Sequence, residues 1–175
     1  MKRYIDLTQI KKTIGIPLEA AYEEEASELG FNDLNLVNKV AVKARLTNMG
    51  SYINVQGEIQ FELALECIRC LNPFILPSKT TFEVDYYKKI SLVEPTEMAL
   101  TEKDLRMAYY TDDRIDLLEE IRQDIILAVP VKPLCQEDCQ GLCPSCGQNL
   151  NIGKCKCREE DIFSPWSSLK KLLEE

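Results

Sequence analysis

The sequence predicts an α+β protein: a curled antiparallel sheet with one main packing helix, followed by a cysteine-rich, zinc-binding C-terminal appendage. Three observations predict it. Apolar residues alternate through 36–67 around a short turn, one segment at 116–129 has helical spacing with a proline stop, and all eight cysteines fall in short pairs. The division that follows is an α+β domain over 1–134 and a cysteine-rich tail with a short helix over 135–175.

The first element expected is a strand at Tyr4–Leu7. A second runs over Ile14–Tyr22, where Ile14, Ile16, Leu18, Ala20 and Tyr22 share a face and Pro17 marks an edge or a bulge. The clearest signal comes next. Val40, Val42, Ala44 and Leu46 alternate with Lys39, Lys43, Arg45 and Thr47. After a turn at Asn48-Met49-Gly50, Ile53, Val55, Ile59, Phe61, Leu63 and Leu65 alternate with polar residues. This is a long β-hairpin whose outward faces carry opposite charges on the two strands, compatible with cross-strand pairing. A further strand is expected at Thr80–Tyr87, with Phe82, Val84 and Tyr86 on one face, and all these strands are expected in a single antiparallel sheet. The acidic stretch from Glu23 to Asn35 and the stretch from Ser91 to Asp113 read as connections, the second with a short strand at Leu105–Tyr110.

The main helix spans Asp116–Val129. Asp116 and Glu119 have capping-box spacing, Leu117, Leu118, Ile121, Ile125 and Ala128 follow the helical period, and Pro130 ends it. A short final helix is expected at Pro165–Leu173, with Ser164 as its N-cap and Trp166, Leu169, Leu172 and Leu173 on one side.

Composition restricts the chemistry. The 175 residues are 45% hydrophobic, enough for a real core. There is no histidine, which removes Ser-His-Asp and Cys-His nucleophiles, HExxH metalloproteases and any imidazole base. Lys+Arg 21 against Asp+Glu 29 gives a net charge of −8, so the molecule as a whole repels phosphates, and contact with RNA requires a local basic face. No apolar run reaches the roughly 18–20 residues that span a bilayer, and the first residues lack a secretory apolar region, so the cytoplasm is the expected compartment.

The cysteine pairs are Cys67-Ile-Arg-Cys70, Cys135-Gln-Glu-Asp-Cys139, Cys143-Pro-Ser-Cys146 and Cys155-Lys-Cys157. In a reducing compartment a disulfide framework is disfavoured, and metal binding accounts for the spacing. A tetrahedral zinc needs four thiolates close together, and a two-residue gap in a tight turn provides two of them. Pro144 stiffens one such turn and Gly147 permits the left-handed backbone that follows it. Cys155 and Cys157, one residue apart, project to one side of an extended segment and complete that knuckle. Two structural zinc sites result: Cys67, Cys70, Cys135 and Cys139, and separately Cys143, Cys146, Cys155 and Cys157. An arrangement that pairs Cys67 and Cys70 with a different C-terminal pair stays open. Closed four-thiolate sites supply folding energy and no open coordination position. Lys132, Lys154, Lys156 and Arg158 stand near the clusters, able to neutralise them or to contact RNA.

The segments Leu65-Glu66-Cys67-Ile68-Arg69-Cys70-Leu71, Asp116-Leu117-Leu118-Glu119-Glu120, Ile125–Pro130 and Cys139-Gln140-Gly141-Leu142-Cys143-Pro144-Ser145-Cys146-Gly147-Gln148-Asn149-Leu150-Asn151 follow one another here. With Cys155-x-Cys157 and a closing Leu169-Lys170-Lys171-Leu172, this series resembles the YceD family, the large-subunit ribosomal RNA accumulation proteins. The resemblance implies a bacterial or organellar factor needed for normal accumulation of that RNA, with no established catalytic residues. It further implies that the local C-terminal knuckle is dispensable in some members, whereas the strand-end pair and a Cys/His-bearing segment after the helix are kept. The expected function is a non-enzymatic ribosome-assembly factor. It would bind large-subunit ribosomal RNA precursor, a basic large-subunit ribosomal protein, or both, with no membrane and no small-molecule substrate. The opposing reading is an enzyme, either a thiol oxidoreductase using Cys67 and Cys70 or a metal-dependent nuclease acting on ribosomal RNA precursors.

Overall fold

The computed structural model describes residues 4–31, 34–89 and 106–157. The expected helix at Pro165–Leu173, Arg158 and most of the 91–113 connection lie outside the described residues. Among those described, the element order is β1 (Tyr4–Asp6), β2 (Pro17–Glu25), β3 (Leu36–Asn48), β4 (Ile53–Glu66), β5 (Pro73–Lys88), β6 (Met107–Tyr110), β7 (Arg114–Asp116) and α1 (Leu118–Ala128), with short 3-10 turns at Ile10–Lys12 and Ala26–Leu29. The chain divides into two compact units, one of Met1–Ala64 with Ile75–Pro130 and one of Leu65–Phe74 with Val131–Glu175.

In the first unit, the alternation of β3 and β4 becomes burial. Val40, Val42, Ala44, Leu46, Ile53, Val55, Ile59, Phe61 and Leu63 are all buried, and the two strands pair antiparallel from Asn48↔Ile53 outward. A bulge between Val37 and Ala41 resets the register, with Asn38 in the left-handed region at φ 65°. Gly57 falls on the core face opposite Ala44, and the Phe82 ring occupies the space a side chain there would fill: a Cβ would lie 2.2 Å from two ring atoms. Asn48, a buried polar residue, ties the hairpin end to the N-terminal segment. Its Nδ2 donates to Ile10 O at 3.1 Å, its Oδ1 accepts from Gly50 N at 2.8 Å, and its backbone carbonyl accepts from Gly15 N at 2.9 Å.

Several expectations are corrected. The strands form two sheets: β1 pairs with β7, and β2-β3-β4-β5-β6 make the other, in which β6 runs parallel to β5. A long connection separates β5 from β6, so the chain can return in the same direction, which a tight hairpin forbids. Ile14 and Ile16 do not share the half-buried face of the second strand; they precede it and are exposed, and Gly15 between them turns left-handed to bond Asn48. The strand expected at Thr80 begins at Pro73 instead. Among the described residues, β6 pairs with Asp85–Lys88 of this strand, well beyond its prolines Pro73 and Pro77.

The outward charges do face each other across β3 and β4, with Lys43 opposite Glu58, and the closest ion pairs reach on to the outer strands. Lys39 meets Glu25 at 3.1 Å and Arg45 meets Glu19 at 3.2 Å, both on β2, whereas Glu58 of β4 meets Lys79 of β5 at 2.6 Å. Each charge reaches its outer neighbour, and the contacts are exposed and individually weak.

Helix α1 starts two residues after Asp116, whose Oδ1 accepts the Leu118 N–H at 3.0 Å, in place of a reciprocal capping box. Leu117, Ile121 and Ile125 are buried. Tyr86, buried, points its hydroxyl at Asp116 O at 3.4 Å. Burial, with the neighbouring carboxylates of Glu120 and Asp116, pushes that phenol far above its ordinary range and keeps it a donor.

Candidate metal centres

Both groups of cysteines lie in the second unit. Its first turn leaves β4 and enters β5. In Cys67-Ile68-Arg69-Cys70, Leu71 N donates to Cys67 O at 2.9 Å and Cys67 N donates to Asn72 O at 3.0 Å. The turn at Cys143-Pro144-Ser145-Cys146 repeats this pattern: Gly147 N donates to Cys143 O at 2.8 Å and Cys143 N to Gln148 O at 2.8 Å. In each, the residue after the second cysteine is left-handed. Gly147 has φ 73°, as expected, and Leu71 has φ 57°, a conformation that costs a side-chain-bearing residue about 1–2 kcal/mol. Two copies of one knuckle thus present two sulfurs each.

The segment after Pro130 closes the first group. Ile68 N donates to Pro133 O at 3.0 Å, Leu142 N to Arg69 O at 3.1 Å, and the Arg69 guanidinium donates to Cys139 O at 2.9 Å. Gly141, at φ 75°, passes so close that a Cβ would lie 3.1 Å from Arg69 O. The sulfurs of Cys67 and Cys139 come within 3.7 Å, and those of Cys70 and Cys135 within 3.7 Å. Phe74, Leu134 and Leu142 pack around the buried Cys67, Cys70 and Cys139.

In the second group Cys155 Sγ lies 3.4 Å from Cys143 Sγ. Cys67, Cys70, Cys135 and Cys139 form one tetrad, and Cys143, Cys146, Cys155 and Cys157 the other; within each, all four ligand atoms lie within 4.8 Å of one another. Of the pairings open from sequence, the structure brings together the hairpin pair with Cys135 and Cys139.

These separations test the donor set. A disulfide needs about 2.05 Å, and none is formed. A tetrahedron with metal–sulfur arms of about 2.3 Å has edges of about 3.8 Å, close to the observed spacings, so each tetrad could hold a four-thiolate metal ion. Electrostatics help. Burial opposes ionisation of Cys67, yet hydrogen bonds from the backbone of Cys135, Cys70 and Arg69 bring its pKa down to about 6. The backbone of Cys146 and Ser145, with the Cys155 side chain, lowers Cys143 to about 6. Their partners move the other way: burial and the Cys70 and Cys139 sulfurs push Cys135 up to about 12, and Cys146, with burial, pushes Cys157 up to about 12. Four thiols crowded without a cation cannot all ionise, and a divalent metal removes that conflict. Among the described residues, the groups able to hold a metal are these two and consist of cysteine alone.

The family model described as large ribosomal RNA subunit accumulation protein YceD matches residues 55–173, a span that contains most of β4, all of α1 and all eight cysteines. The chain belongs to the YceD family. An uncharacterised Mycobacterium bovis protein is 29% identical to it over 129 residues, covering 74% of this chain and 59% of that relative, so the chain spans about three-fifths of it. Bacillus subtilis YlbN, also uncharacterised, is 22% identical over 146 residues, 82% of this chain and 80% of the relative. The Arabidopsis thaliana chloroplastic YCED homolog 1, named as a large ribosomal RNA subunit accumulation protein, is 34% identical over 61 residues, 35% of this chain and 19% of that protein. No solved structure matches. The YceD description names accumulation of an RNA and no reaction, and no described helix of this member is long and apolar enough to cross a membrane.

Sequence reasoning missed one participant. Asn151 donates from Nδ2 to Cys139 Sγ at 3.3 Å, reaching from the loop of one tetrad to a sulfur of the other. The signal was the Asn-Leu-Asn stretch after the knuckle, which sequence alone leaves without a role.

Proposed function

We propose that this YceD chain is a non-enzymatic cytoplasmic assembly factor that supports large-subunit ribosomal RNA. In this reading its eight cysteines hold two structural zinc ions, at Cys67, Cys70, Cys135 and Cys139 and at Cys143, Cys146, Cys155 and Cys157. The observation that carries it is the donor set: four sulfurs within 4.8 Å of one another in each tetrad, enough to fill a zinc's four positions and leave none open for substrate. The family description supports the connection with large-subunit RNA. All four sulfurs of the first tetrad gather within 4.8 Å of one another, a clustering suited to one shared metal.

Each four-thiolate zinc carries a formal −2, so full loading takes the net charge from −8 to about −12. Such a surface grips a basic ribosomal protein more readily than bare RNA, with the precursor RNA recovered through it or at a local basic face. The test is crosslinking and pull-down of the full chain from growing cells. Large-subunit precursor RNA or a large-subunit ribosomal protein is the expected catch; recovery of neither contradicts the reading.

A further inference from the structure

Asn151 lies between the knuckle cysteine Cys146 and the closing pair Cys155 and Cys157, inside the loop that the second tetrad closes. Its side-chain amide is fully used. Oδ1 accepts from Gln140 N at 2.7 Å and from Gln136 Nε2 at 3.3 Å; Nδ2 donates to Asn149 Oδ1 at 2.8 Å and to Cys139 Sγ at 3.3 Å. A primary amide offers two donors and two acceptor sites, so nothing is left over.

The amide's orientation is fixed by its neighbours. A backbone N–H can only donate, so the atom facing Gln140 N must be the oxygen, and the nitrogen must face the sulfur. Asn149 holds the turn in place, its Oδ1 also accepting from Asn151 N at 2.9 Å, while Leu150 N donates to Gly141 O at 2.9 Å. The loop of the second tetrad is thus laid along the Cys139–Leu142 segment that carries a ligand of the first.

We propose that Asn151 is a positioning residue that couples the two centres: its N–H bond to the Cys139 sulfur makes metal retention at Cys67, Cys70, Cys135 and Cys139 depend on an ordered loop at the other tetrad. The inference rests on the reading of both tetrads as metal centres. An N–H donor spreads the excess negative charge of a four-thiolate metal site and holds the sulfur's lone pair toward the metal. Once the second centre is emptied, its loop is free, the bond from Asn151 to the Cys139 sulfur is lost, and the first centre releases its metal more readily.

The test uses the full chain loaded with cadmium-113, whose resonances report each centre separately and are assigned through the cysteine methylene protons. Wild-type protein is expected to show two four-sulfur cadmium signals; their absence overturns both the metal reading and this inference. Asn151→Asp keeps the oxygen that Gln140 and Gln136 bond but removes the donor. It is expected to move the signal correlated with Cys139 while the signal correlated with Cys143 stays, and to speed chelator-driven loss from the first centre about 10–100-fold. An unmoved first signal, with release within twofold of wild type, overturns the coupling and leaves the metal reading intact. A second variant, Cys155→Ser plus Cys157→Ser, keeps Asn151 but opens its loop. Faster loss from the first centre is again expected, and unchanged retention overturns the proposal.

Discussion

The sulfurs of Cys67 and Cys139 lie 3.7 Å apart although 72 residues separate them in the chain. Only a folded chain brings them together, so a metal held there stabilises the folded form alone and its binding energy becomes folding energy. Cys143 and Cys155, by contrast, are 12 residues apart and close a loop that is short even in the unfolded chain.

The two tetrads should therefore differ in what their loss costs. Cys67→Ser plus Cys70→Ser is expected to lower the melting temperature by about 10 °C or more, because it opens the connection between β4 and β5 as well as the long-range closure. Cys143→Ser plus Cys146→Ser is expected to lower it much less and to disorder mainly 143–157. Thermal unfolding of both variants, followed by circular dichroism, checks this; equal losses would contradict the division.

Gly57 sits beneath Phe82, and a methyl group there meets the ring at 2.2 Å. The ring is buried and cannot swing into solvent without exposing its own face. Gly57→Ala is expected to cost about 1–3 kcal/mol, read as a lower urea midpoint with an unchanged slope. Phe82→Leu, tolerable in combination because it vacates the clash, should make the second substitution less than additive.

Burial raises the Asp124 carboxyl above its ordinary pKa, and Glu120 one turn earlier adds to the rise. A carboxyl whose folded pKa exceeds its unfolded one holds its proton better when folded, so it favours folding at low pH and penalises it once both states are ionised. Its place in the second half of α1 adds repulsion from the helix C-terminus. Asp124→Asn is expected to raise the melting temperature by about 1–2 °C at pH 7, a modest gain because the site is only partly shielded from water. The advantage should vanish as pH falls through the folded pKa toward 3.8. A gain that persists at acid pH would show another cause.

Much of this was legible in the residues. Strict period-2 alternation located the central hairpin, since one buried face leaves no other register for Val40, Val42, Ala44 and Leu46. The tetrads were legible because thiol spacing in a knuckle follows from metal geometry. The rest was hidden where a local signal meant something else. The strand expected from Thr80 starts earlier, at Pro73, because Pro73 and Pro77 stand within β5 and interrupt the alternation that located its second half. Leu71 adopts the backbone that Gly147 adopts in the other knuckle, with nothing in its side chain to announce it. Ile14 and Ile16 kept the strand parity but lie before the strand, and Asn151 looked like an ordinary turn residue. A parallel β5–β6 pair leaves no period of its own, because its partners are set by the path of the chain between them.

The most direct test is zinc K-edge X-ray absorption, with metal quantitation, on the full chain as purified without chelator. About two zinc ions per chain, each surrounded by four sulfurs at about 2.3 Å, is the predicted result. A folded chain whose eight thiols bind no metal, or zinc coordinated by oxygen with an open position, would contradict the account.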